Sequence, residues 1–156
     1  MATKTELSTD TAQELLEYEP DELVRLLGVR QAAIEKDPSI QGSFDPDVQQ
    51  EDYAWADVVT VGKRIWNTLH IQAYNFVCGD DEESKEWRER IIGALGVSVA
   101  AGVVALSNAL ISIGIAAALA GVLAALLIKH FFIPAAKDGY ETACKLWKEE
   151  LPQGSE

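Results

Sequence analysis

Residues 91–128 read IIGALGVSVAAGVVALSNALISIGIAAALAGVLAALLI, thirty-eight consecutive positions without a charged side chain. As one straight helix at 1.5 Å per residue this run would reach roughly 57 Å, nearly twice a bilayer core of about 30 Å. Two antiparallel helices fit better. Ser107-Asn108 is the only adjacent polar pair in the run and marks the expected hairpin tip. It leaves Ile91–Leu106 and Ala109–Ile128, which would reach roughly 24 and 30 Å. They carry eight and ten Leu, Ile or Val residues. At roughly −0.3 to −0.6 kcal/mol each in lipid, the second is expected to insert alone and the first only with its partner.

Alanine and glycine supply 16 of the 38 residues. Gly96 and Ala100, Ser98 and Gly102, Gly114 and Ala118, and Ala117 and Gly121 each stand four apart, on common helix faces. Small side chains at that spacing let helix backbones approach closely, so Gly96, Ala100, Gly102, Gly114, Ala118 and Gly121 are the expected helix-packing residues. Lys85, Arg88 and Arg90 precede the run and Lys129 and Lys137 follow it, while the tip at Ser107 and Asn108 is uncharged. The positive-inside rule then leaves both hairpin ends cytoplasmic. Lys129, Phe131, Phe132, Tyr140 and Trp147 are the expected anchors at the membrane interface. The alternative for the aromatic members is core packing.

Two Ala/Gly/Val-rich helices joined by a tight polar turn resemble the hydrophobic hairpin of pore-forming colicins. The resemblance covers Ile91–Ile128 and rests on composition. It implies a hairpin first buried in a soluble bundle and then inserted into a membrane, although this chain has fewer surrounding helices.

Outward from the run, the pattern is helical throughout. Ala12 to Lys36 reads as two short helices, the first capped by Thr9 or Asp10 and the second opened by Pro20, Asp21 and Glu22. Gly28 is expected as a C-cap or bend. Residues 37–50, with two prolines and a glycine, read as a linker. Glu51 to Cys78 is the longest amphipathic helix, with Val58, Val61, Ile65, Leu69, Ala73 and Phe76 on one stripe and Gly79 at its end. Asp80 to Arg90 begins with acids, suits a helix start, and runs without a breaker into Ile91. Pro134 opens a last helix over Ala135 to Leu151. The division is acidic N-terminal helices over 1–36, the linker over 37–50, a helical domain over 51–151 and a disordered tail over 152–156.

Composition narrows the function classes. The net charge is −12 and the sequence pI about 4.5, and the first sixty positions hold fourteen acids against four bases. A nucleic-acid partner is therefore not expected, since counterion release needs a basic footprint. Cys78 and Cys144 stand in no metal or redox motif, no secretory signal is expected, and both thiols are read as reduced in a cytoplasmic setting. His70 and His130 lack the neighbours of a general base, Gly62-Lys63 lacks a phosphate-loop pattern, and Asp80 to Glu83 lacks calcium-loop spacing. No catalytic, metal or cofactor site is expected.

The resulting expectation is an all-α bundle of five or six helices around a central apolar hairpin. Its role is non-enzymatic: to anchor or insert at a membrane through 91–128, with oligomerisation to permeabilise it. The expected partners are membrane lipid, and a second copy or another protein reached through the acidic N-terminal helices. The alternative is a soluble, cytoplasmic interaction subunit of an oligomer with the hairpin as its core. The low pI adds an expectation that acid eases approach to lipid, because protonated carboxylates are cheaper to desolvate.

Overall fold

A computed structural model describes residues 7–43 and 55–151. The rest of the expected linker beyond Ser43, the stretch 51–54 expected to open the long helix, and the expected tail over 152–156 lie outside the described residues.

The described residues form seven helices and no strand, so the all-α class holds and the number of helices exceeds the five or six expected. Helix α1 is Thr9–Leu16 and α2 is Pro20–Lys36. Ser8, rather than Thr9 or Asp10, caps α1 by accepting from Thr11 N at 3.1 Å. Glu22 Oε1 accepts from Glu19 N at 2.9 Å, closing the entry to α2 behind Pro20. A 3₁₀ turn, Pro38–Gly42, follows.

Helix α3 is Trp55–Val77. Its last carbonyl and one just beyond its end accept from the next helix: Arg88 Nη1 donates to Val77 O at 2.7 Å and to Gly79 O at 2.9 Å. Helix α4, Glu82–Val97, is capped by Asp81, which accepts from Ser84 N at 2.8 Å. That bond holds the Asp81 carboxyl below its ordinary pKa. As expected, the polar start of α4 continues into the apolar run as far as Val97.

Ser98 then breaks the chain and caps α5, Val99–Ser112, accepting from Ala101 N at 3.0 Å. Helix α6 is the helical run Ala117–Asp138, regular through Leu127, widened to a π segment over Ile128–Phe132 and tightened at its end. A 3₁₀ turn at Tyr140–Thr142 leads into α7, Ala143–Glu149.

Two features position everything else. The most extensive helix pairing is α2 with α3. Gly28 lies against Val58 and Gly62 against Val24, so the two helices run antiparallel. A Cβ at Gly28 would overlap the Val58 carbonyl oxygen, and one at Gly62 would overlap the Val24 carbonyl oxygen. The two backbones touch where neither has a side chain. Gly28 is thus a contact residue inside an unbroken α2, not the C-cap or bend expected of it.

The second feature is α6. All eleven residues from Ala118 to Ile128 are buried, beneath α1, α2 and α5. Polar groups tie these neighbours to it at both ends. Arg30, itself buried, donates from Nη1 to Ala118 O at 3.0 Å. Lys129 Nζ donates to Leu16 O at 2.7 Å and to Tyr18 O at 2.6 Å, placing a cation on the free carbonyls at the end of α1.

Candidate functional site: the sheathed helix and its clasp

The hairpin exists, but its tip is not at Ser107-Asn108. Both residues lie inside α5, and the chain reverses over Ile113–Ala116. Gly114 there has φ +96°, a conformation that L side chains rarely adopt. Ser107 is fully buried and turned toward α6, with its hydroxyl 3.5 Å from Ala120 O, while Asn108 stands exposed to solvent. The hairpin is therefore α5 against α6, and Ile91–Val97 belongs to α4.

The expected packing residues divide. Ala100 and Ala118 are buried, and Gly102 lies so close to Leu95 that a Cβ there would overlap its side chain. Gly121 faces α1, where a Cβ would meet Leu7 and Leu15 at 3.5 Å, an ordinary contact. Gly96 and Gly114 face open space, so neither mediates close helix approach in this fold. The backbone contact at Gly28 and Gly62 went unread in the sequence. A glycine at position 62, inside a long amphipathic pattern, was its one signal.

The aromatic members of the expected anchors pack within this fold, the alternative given for them above. Phe131, Phe132 and Trp147 are buried, Tyr140 is half-buried, and Lys129 is engaged with α1. Trp147 stacks on Phe131 at 5.2 Å between centroids and meets Tyr74 edge-on at 5.5 Å. Its Nε1 donates to Nδ1 of buried His70 at 3.2 Å. Helix α7 in this way covers the second half of α6.

Both histidines converge here, a grouping not read from sequence. Trp66 stacks on His70 at 4.7 Å and lies 5.3 Å from His130. Two adjoining clefts of about 260 and 300 Å³ share His130, Phe131 and Glu150 in their walls. Among the described residues no group of three His, Cys, Asp or Glu side chains is placed to hold a metal ion.

Burial holds His70 below its ordinary pKa, a shift that Glu150 opposes and His130 reinforces. Nδ1 must stay unprotonated to accept the Trp147 N–H. The unfolded chain takes up this proton near pH 6.5 and the folded chain only at lower pH. The contribution is fully present above about pH 6.5 and is lost as pH falls toward the folded pKa. Denaturant titrations from pH 7.5 down to 5.5 are expected to show this loss. His70→Asn, which keeps an acceptor but cannot protonate, is expected to reduce it, leaving the part contributed by His130, which burial also holds below its ordinary pKa; equal slopes in both proteins would exclude His70 as a source.

The pairing of Cys78 with Cys144 corrects the expectation of two reduced thiols: the residues are joined as a disulfide with their Cα atoms 5.7 Å apart. They approach because the end of α3 lies against α7, which a separation of 66 positions does not disclose. Disulfides persist in oxidising compartments, so the thiol argument for a cytoplasmic setting falls away.

Compared with known proteins, the chain matches no family model, no curated protein and no solved structure.

Proposed function

We propose that this chain is a non-enzymatic helical protein that carries a membrane-insertable hairpin, α5 and α6, sheathed inside a bundle, and that it acts by inserting the hairpin into a membrane. The observation that carries the reading is α6 itself. It runs 22 residues with a mean hydropathy of 1.9 over its most apolar window, 72% of that window being buried. Straightened into a regular helix, twenty-two residues would reach roughly 33 Å, about the thickness of a hydrocarbon core, with Lys129 near the middle of the run and Lys137 and Asp138 at its end.

α5 is too short to cross alone, at 14 residues or roughly 21 Å. Straightened through Ser98, Ile91–Ser112 would match α6. Insertion as a pair leaves Arg88 and Arg90 on the same side as Lys137 and α7, with the turn at Gly114 across the membrane. Permeabilisation follows when several inserted hairpins associate.

The sheath is acidic and loosely sequence-linked to what it covers. α1 and α2 lie on α6 yet end at Leu16 and Lys36, 101 and 81 positions before its start at Ala117, so they can leave without breaking the hairpin. A second reading, a soluble interaction subunit, is favoured by the all-round burial of Ala118 to Ile128, which leaves that stretch with no need of lipid.

Vesicle flotation followed by alkaline carbonate washing separates the two. Tested with the Cys78–Cys144 disulfide closed and with it open, the full chain is expected in at least one of the two states to stay with anionic and zwitterionic vesicles after washing and to release a trapped dye. Complete recovery in the soluble fraction as a defined oligomer, with the disulfide closed and open, would establish the soluble subunit.

A further inference from the structure

Helix α7 has seven residues, too few to be stable in isolation. Its attachment to the rest of the fold rests on buried Trp147, with its bond to His70, and on the Cys78–Cys144 disulfide. The disulfide closes a loop that contains the whole of α4, α5 and α6. Both cysteines are half-buried, within reach of a reagent at the surface, and the chain has no third thiol to exchange with them.

We propose that the Cys78–Cys144 disulfide is a redox latch that holds α7 over the second half of α6, and that its reduction by a dithiol unclasps the apolar helix. A thiolate of the dithiol attacks one sulfur of the pair. The Sγ–Sγ bond breaks, a mixed disulfide forms, and the other cysteine leaves as a thiolate that takes up a proton. The second thiol of the reagent then displaces the first cysteine, so the protein gains two electrons and two protons while the dithiol becomes a disulfide. With the covalent link gone, α7 is held by Trp147 and its neighbours alone. The α3–α7 seam opens locally, exposing Phe131 and the apolar surface around it, while the α2–α3 contact through Gly28 and Gly62 stays closed. The insertion that follows rests on the function proposed above.

The test uses the full chain with and without dithiothreitol, read by amide hydrogen exchange and by flotation with vesicles of phosphatidylcholine and phosphatidylglycerol. Reduction is expected to speed exchange over 128–149 by at least about tenfold while α2 and α3 keep their protection. It is also expected to raise the vesicle-bound fraction. Cys78→Ser with Cys144→Ser is expected to show the open pattern without reductant and no response to it. Unchanged exchange over 128–149 on reduction would overturn the latch, as would loss of protection throughout the chain. Full insertion of the oxidised protein would overturn it too, while supporting the insertion reading. Local opening on reduction with neither form bound to vesicles would uphold the latch and remove the insertion reading.

Discussion

Gly28→Ala is expected to destabilise the fold by about 3 kcal/mol, the upper part of the range for overpacking a tight contact. The sign is what makes the experiment informative. In a helix interior an alanine is about 1 kcal/mol better than glycine by propensity. Gly28 lies well inside α2, and propensity alone predicts a gain. The added methyl overlaps the Val58 carbonyl oxygen, which belongs to the backbone of α3 and cannot turn aside as a side chain would. The helices must separate, and the seam between α2 and α3 loses contact along its length. Gly93→Ala is the matched control, since a Cβ there meets nothing within 4 Å. It is expected to leave stability unchanged or raise it by up to about 1 kcal/mol. Urea denaturation of both variants checks the pair, and a gain in both would contradict the backbone contact.

Trp147→Ala is expected to cost about 3–5 kcal/mol, the usual loss for deleting a large buried aromatic side chain. Trp147 is fully buried, stacked on Phe131 and bonded to His70, so its removal leaves a cavity and a buried imidazole without its donor. Trp147→Phe keeps the ring packing and lacks the N–H, so it separates the two contributions. Its expected loss is smaller, about 1–3 kcal/mol for the orphaned acceptor and the missing ring. Denaturation midpoints at a fixed pH of 7.5 give both values. Equal losses in the two variants would show that the hydrogen bond, not the packing, dominates.

The sequence disclosed the helices better than their partners. An uncharged run that is too long for one crossing, with a polar start of α4 leading into it, points to a hairpin from sequence alone. The observed reversal differs from the expected tip for a physical reason. Ser107 and Asn108 are polar, but neither stops a helix when one side chain turns toward α6 and the other reaches solvent. The reversal needed a residue able to take positive φ, and Gly114 sits between two isoleucines that disguise it as part of the stripe. Gly62 is legible in retrospect, since an unforced glycine inside a strong amphipathic pattern asks for a close neighbour.

The disulfide and the His70–Trp147 bond were not legible in the same way. Each joins α3 to α7 across most of the domain, and helical periodicity carries no information about which distant faces meet. The aromatic residues after Ile128 illustrate the same limit. Phe131, Phe132 and Trp147 read equally well as an interfacial belt or a core, and only the placement of α7 puts them inside this fold.

The loop closed by Cys78 and Cys144 also has a mechanical meaning. A pull applied at the two chain ends travels along α3, crosses the sulfur–sulfur bond and continues into α7, so α4, α5 and α6 bear no load. At about 3.5 Å per extended residue, the 66-position separation withholds roughly 230 Å of contour length until the bond is broken. Tension alone can therefore draw out the outer helices while the apolar pair stays folded and slack, and the oxidation state of one bond sets how far the chain can be stretched.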